Sequence, residues 1–265
     1  MKCFVEAVGV LAPGLAGWQQ ARAILAGETA YRFEKFAAPK LDILPPVERR
    51  RTGLPIKLAI AVGQDALLQA GQTAASLATV FASSDSDGEV IDEICKTLAG
   101  AERQISPTRF HNSVHNAPAG YWSIATGSHA PSTSLCALDW SVAAGLVEAA
   151  SQIVADREDV LLIASDVPYP ETLLGARPVR HPFGSAFLLT HDCGNRSIAA
   201  FEINLKRRGR ATRMQDPLLE EMRRDNSAGR ALPLLAALAK PAQGQIAIVL
   251  EYIAGSALEI SVTPC

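Results

Sequence analysis

The 265-residue sequence holds no uncharged apolar run of the roughly 18 residues that a membrane-spanning helix requires. A secretory leader is not expected either, because Glu6 falls inside what would have to be the apolar core of a signal peptide. Charge of one sign is missing as well. Lys and Arg number 25 against 27 Asp and Glu, a formal balance of −2, which gives no overall pull toward nucleic acid or an anionic membrane. There is no CxxC spacing. The five cysteines (Cys3, Cys95, Cys136, Cys193 and Cys265) are odd in number and scattered, so neither a zinc site nor a disulfide framework is expected, and a reducing cytoplasm fits. GxSxG elbows, Walker loops and dinucleotide fingerprints are absent. What remains, 48% apolar and 20% charged, has the composition of a globular α/β protein.

Residues 3–11 are an apolar run closed by Pro13-Gly14 and predict a strand, followed by a helix over Trp18 to Leu25. Four prolines and the Arg49-Arg50-Arg51 run predict a loop over 34–55. Lys57 to Ala70 predicts a helix with Gly71 at its left-handed end, then a strand at 77–82 and a helix from Asp87 or Gly88 to Gly100. Ser132 to Leu138 is read as a buried strand. Val142, Leu146, Ala149, Ala150 and Ile153 recur at helical spacing, and Val160 to Ala164 is a continuous apolar strand. Strand–helix–strand in that order predicts a βαβ crossover and a parallel pair covered by helices. Two more strands are expected at 185–190 and 197–204, joined by a turn at Asp192 to Asn195. Beyond 205 the sequence predicts two helices, starting near Asp216-Pro217 and Ser227, and a closing hairpin over 245–253 and 257–263. No repeat or low-complexity tract occurs, and the expected division is 1–205 and 206–265, packed as one body.

The stretch from Ser106 to Val167 carries a family pattern. Ser106-Pro107, then Asn116 with Ala119-Gly120, then Gly127 with Pro131-Ser132, precede the strand, the long helix and the VLLIA strand. This resembles the N-terminal half of the β-ketoacyl synthases, condensing enzymes of the thiolase-like fold, most specifically over these sixty-odd residues and more weakly over about 1–205. The resemblance implies a layered α/β/α fold around a mixed, mostly parallel sheet, with a strongly reduced C-terminal half.

In such enzymes a cysteine at the strand-to-helix bend takes up the acyl chain, its thiolate favoured by the helix N-terminus. Counting from Gly127-x-x-x-Pro131, that place falls on Asp139 in Cys136-Ala137-Leu138-Asp139-Trp140-Ser141. A carboxylate is comfortable at a helix N-terminus but is a poor acyl acceptor, so Asp139 is expected to act as a helix cap in a disarmed site. The resemblance also implies two catalytic histidines in the C-terminal half. All five histidines (His111, His115, His129, His181, His191) precede Asn195, and none lies in 206–265.

The resemblance therefore implies a non-catalytic chain length factor. Such a subunit pairs with a full-length, active ketosynthase as a heterodimer and shapes its acyl tunnel in polyene, polyketide or fatty-acid-like synthesis. The short form beside aryl polyene pathways fits the length. Two-halved chain length factors usually carry glutamine at the disarmed position, so the aspartate and the truncation are departures. The strand before the bend is expected to pair across a two-fold axis. Phe110, Asn116, Trp122, Ser132, Ser134, Cys136 and Trp140 are the expected interface or tunnel residues, with Trp140 equally at home in a core. The basic run from Lys206 to Arg213 reads either as a solvated connection or, through Arg207, Arg208 and Arg210, as a docking patch for an acidic acyl carrier protein. Arg49 to Arg51 is a second candidate patch.

Two rival functions stay open at this level. One is a stand-alone acyl transferase or hydrolase using Cys136, or Asp139, with His111 or His115; the other is a scaffold that only binds carrier protein. On a buried strand, however, Cys136 is more simply a small apolar filler. His111 and His115 fall in a loop-like stretch without a third ligand, so no metal is expected, and no cofactor is implied. Ser83 to Gly88 has a faint calcium-loop look but lacks the closing glutamate, so a plain turn is expected.

Overall fold

In the computed structural model, which describes residues 1–101, 103–240 and 244–265, the first apolar run forms β1 (Lys2–Ala12), with β2 (Leu15–Ala16) folded back on it. Helix α1 (Trp18–Ala26) follows. The expected loop over 34–55 contains a helix, α2 (Pro46–Arg51), and α3 (Leu54–Ala70) begins within it. The prolines misled because Pro46 and Pro55 occupy first-turn positions, where no N–H bond is lost. Gly71 ends α3 in the left-handed conformation at φ 60°, as its position predicts.

Strand β3 (Ala78–Ala82) leads to α4 (Gly88–Ala99), whose first turn is capped by the Asp87 carboxylate accepting from the Val90 N–H. Helices α5 (Pro107–Asn112) and α6 (Ala117–Thr126) come next, so His111 sits on a helix rather than in the predicted loop. Then follow β4 (Ser132–Leu135), α7 (Ser141–Asp156), β5 (Val160–Asp166), α8 (Glu171–Leu174), β6 (Phe183–Thr190) and β7 (Ala199–Lys206). The last stretch supplies α9 (Pro217–Asp225), a 3-10 turn at Ala228–Ala231, α10 (Leu232–Ala239) and the antiparallel pair β8 (Ile246–Glu251) and β9 (Ala257–Pro264).

The strands form one sheet in the order β4-β3-β5-β6-β1-β7-β9-β8. The mixed sheet between helical layers matches the expectation. Its parallel pairing is confined to β4-β3-β5, and every other pairing among the described residues is antiparallel. Parallel neighbours need long helical crossovers, and only the segments around α4–α6 and α7 provide them. Three local expectations change for the same reason of strand order. The crossover through α7 joins parallel strands, but β3 lies between them. Strands β6 and β7 are not a hairpin, because β1 is inserted between them. Finally, β4 is a half-exposed edge strand and not a buried one; among the described residues no strand pairs on its outer side.

Alternation along the central strands feeds two cores. Leu161 and Ile163 of β5 and Phe81 of β3 meet α3 and α6, while Val160, Leu162, Val80 and Ala82 meet the layer of α1, α7, α9 and α10. The strand face toward α3 is packed to backbone contact. A Cβ on Gly9 would stand 2.2 Å from the Val62 carbonyl oxygen, so only glycine lets α3 lie this close to β1.

Candidate functional site

The parallel strands β4, β3 and β5 end at the same side of the sheet, and the chain turns there into α7. After β4 come Cys136 and Ala137, then a 3-10 turn over Leu138–Trp140. Leu138 has φ 51°, a left-handed conformation that a leucine adopts only when its surroundings impose it. They do. The Ser141 and Ser227 hydroxyls both donate to the Leu138 carbonyl, at 2.7 and 2.6 Å, and the Ala137 N–H donates to Ser141 Oγ at 3.1 Å. The bend is thus pinned from α7 on one side and from the C-terminal stretch on the other.

Asp139 stands at this bend, as expected, but it caps no helix. Ser141 makes the local bonds instead. The Asp139 carboxylate turns to two arginines, Arg177 Nη2 at 2.6 Å and Arg230 Nη2 at 3.5 Å, and Arg230 also pairs with Glu251. Burial disfavours the Arg177 charge, but the Asp139 carboxylate and Tyr169 outweigh it and hold its pKa above the ordinary value. The cavity beside Asp139 has a volume of about 10 Å³ and is walled by Val142, Arg223 and Leu250. That is room for one water at most and for no acyl chain.

Behind the bend lies a buried polar node, Asp166, at the end of β5. Its Oδ1 accepts from the Ser84 N–H (2.8 Å), Ser84 Oγ (2.9 Å) and Ser83 Oγ (2.9 Å), and its Oδ2 from the Ala228 N–H (2.9 Å). Ser84 Oγ also meets Tyr169 Oη at 3.2 Å. Burial pushes the Asp166 carboxyl up to about 6, against the pull of those donors. Asp166 therefore links the Ser83–Ser84 loop, β5 and the 3-10 turn that carries Arg230.

The other anticipated residues divide. Asn116, Ser132 and Ser134 come together with Ala119, Gly120 and Ser123 in an open groove of about 400 Å³ between α6 and the β4 edge. Trp122 does not join them. It is 1% exposed, packed edge-on to Phe81 at 6.3 Å, and belongs to the core under α3. Phe110 is 65% exposed on α5, and Trp140 is half-buried at the start of α7. Cys136 is exposed rather than a buried filler, because β4 is an edge; its thiol donates to the Ser84 carbonyl at 3.2 Å. His115 Nε2 lies 3.4 Å from the Ser83 carbonyl oxygen. No group of three or more His, Cys, Asp or Glu converges on a metal-sized site among the described residues.

Arg207, Arg208 and Arg210 are exposed on the strap after β7 and take part in no ion pair among the described residues, whereas Lys206 meets Glu259 at 2.8 Å. The strap then covers the outer edge of β8 through the Thr212 N–H to Val249 O and the Val249 N–H to Thr212 Oγ1, each 2.9 Å. In the second basic run, Arg49 pairs with Asp42 and Arg51 with Glu48.

Residues 18–247 match the sequence model of the β-ketoacyl synthase N-terminal domain. The chain belongs to this family. The match runs past residue 205 and includes α9 and α10, so the stretch that supplies Arg230 and Ser227 is part of the family domain. No curated protein sequence matches the chain. Solved structures of this fold match it throughout. A chain from the ketosynthase ApeO in complex with its chain length factor ApeC, from Xenorhabdus doucetiae, has a TM-score of 0.73 and 22% identity, covering 98% of this chain and 99% of that one. The ishigamide ketosynthase/chain length factor gives 0.75 at 12% identity, covering 100% and 99%. The type II polyketide complex AntDE:AntF, described as an acyl-carrier protein with its ketosynthase bound to the hexaketide, gives 0.76 at 14%, again covering 100% and 99%. The likeness thus spans nearly the whole of each of these three chains.

Arg177, Arg230 and Asp166 were not singled out from sequence. The two arginines lie far from Asp139 along the chain and carry no local signal. Asp166 did carry one: a carboxylate two residues past the apolar run of a buried strand.

Proposed function

We propose that this chain is a non-catalytic chain length factor of the ketosynthase family, which pairs with an active ketosynthase and limits the length of the acyl chain grown in the partner's tunnel. The observation that carries this reading is the state of the bend. An aspartate stands where the resemblance expects the acyl-accepting cysteine, it is tied to Arg177 and Arg230, and the space beside it holds no more than one water. A carboxylate held in that way neither attacks a thioester nor yields a durable acyl intermediate. The histidine-free stretch 206–265 supports the same view, since it gives arginine to the bend and neither of the two histidines the resemblance expects.

The pairing surface we assign is the β4 edge with the Asn116–Ser132–Ser134 groove. Its small polar lining admits an extended backbone, and exposed Val114, Ile124 and Leu138 are apolar side chains available for an interface. Arg207, Arg208 and Arg210 are the proposed contact for an acidic carrier protein, which would dock mainly by long-range attraction. The rival transferase reading is weaker, because the exposed Cys136 thiol already donates to a backbone carbonyl and stands outside the tight bend.

Co-expression with a candidate partner ketosynthase tests the reading. The two chains are expected to elute as one complex, and products formed without this chain are expected to differ in length. Separate elution with unchanged products would overturn the proposal.

A further inference from the structure

Two cysteines meet at the end of the sheet opposite the bend. The register of β5 on β6 runs from Val160↔Leu189 at one end to Asp166↔Phe183 at the other, and the chain leaves β6 at Thr190 on the first side. Cys193 lies in the turn just beyond, and Cys265 follows β9. Their sulfurs are 3.8 Å apart, and both residues are exposed. Each backbone is held in place: Gly194 N–H donates to Ser197 Oγ at 2.9 Å, Ser197 N–H to the Gly194 carbonyl at 3.0 Å, and Cys265 N–H to the Ile198 carbonyl at 3.2 Å.

We propose that Cys193 and Cys265 form a redox-modification site, closed to an intramolecular disulfide by a hydroperoxide. One thiolate attacks the peroxide, the O–O bond breaks, and a sulfenic acid forms with release of water or alcohol. The second thiol then attacks that sulfur, expelling its hydroxyl as water and making the S–S bond. Two electrons pass from the sulfurs to the peroxide, and the two thiol protons leave in the products. Closing the bond takes the two exposed sulfurs from 3.8 Å to roughly 2.05 Å. Partial burial and the adjoining Cys193 hold the Cys265 thiol above its ordinary pKa. Of the other thiols, burial pushes Cys3 up to about 12, while Cys95 on α4 and Cys136 after β4 are exposed.

Closing this bond would tie the β6–β7 turn to the end of β9 across a loop of residues 193–265. That loop holds α9, α10 and the turn carrying Ser227 and Arg230, so oxidation fastens to the sheet the stretch that pins the bend. The proposal is independent of the chain-length reading.

The test treats the fully reduced chain with hydrogen peroxide, maps the linked peptides by mass spectrometry and follows Tm. A single Cys193–Cys265 cross-link is expected, with the loss of two free thiols and a Tm rise of roughly 5–10 °C that dithiothreitol reverses. Cys193→Ser and Cys265→Ser should each abolish both the link and the rise. Sulfinic acids on the separate cysteines, links between molecules, or pairing with Cys95 or Cys136 would overturn the proposal.

Discussion

Asp166→Ala is expected to lower stability by roughly 3–5 kcal/mol at neutral pH, a fall in Tm of about 10 °C. The side chain fills no large volume. Its weight lies in the four hydrogen bonds it accepts: removing the carboxylate strands the Ser84 and Ala228 N–H groups in the interior and loosens the Ser83 and Ser84 hydroxyls. The loss should be felt at the bend too, since Ala228 adjoins Ser227, which holds the Leu138 carbonyl.

The same residue gives stability a pH dependence of definite sign. Burial raises the folded pKa to about 6 from an ordinary 3.8, so the folded chain keeps this proton longer than the unfolded one. The associated stabilisation is complete below pH 4 and is lost as pH rises through 6, a change of about 3 kcal/mol. Asp166→Asn cannot ionise. The difference between wild-type and Asp166→Asn unfolding free energies, taken by denaturant titration from pH 4 to 7.5, isolates this group from the surface carboxylates. A difference that stays constant over the window would contradict the assignment.

The second large effect concerns association. Along β4 the Pro131 and Leu135 carbonyls accept from β3, so by alternation the N–H and C=O groups of Ser132 and Ser134 face outward from the edge. Ser134→Pro removes an outward donor and puts a ring where a partner's backbone would lie, while leaving the ladder to β3 intact. The variant is expected to melt close to wild type yet to bind the ketosynthase roughly 100-fold more weakly, about 2.7 kcal/mol, by titration calorimetry. Undiminished binding would move the interface away from β4.

Much of this architecture could be read from the sequence because its signals are local. Helix α7 and strand β5 were legible from the spacing of Val142, Leu146, Ala149 and Ile153 and from the apolar run at 160–164, and Gly71 marked the end of α3. The Gly127-x-x-x-Pro131 spacing pointed to the turn between β4 and α7, in which Asp139 lies. What escaped was the neighbourhood that tertiary structure creates. Whether β4 is buried or at an edge depends on sheet order, which no property of Ser132 to Leu135 encodes, and so the sequence alone makes Cys136 look like core filler. Trp122 looks like an interface aromatic in sequence, but the phase of α6 turns it under Gly63 and Phe81. The role of Asp139 also changed with its surroundings: a helix cap is the local solution, and two arginines from distant segments provide a stronger one.

The central claim is that the bend of this family member accepts no acyl group. Incubating the isolated chain with an acyl-carrier thioester and weighing it intact by mass spectrometry tests that directly. The account predicts an unmodified mass at every time point. A durable acyl adduct that disappears in Cys136→Ala or Asp139→Ala would contradict it.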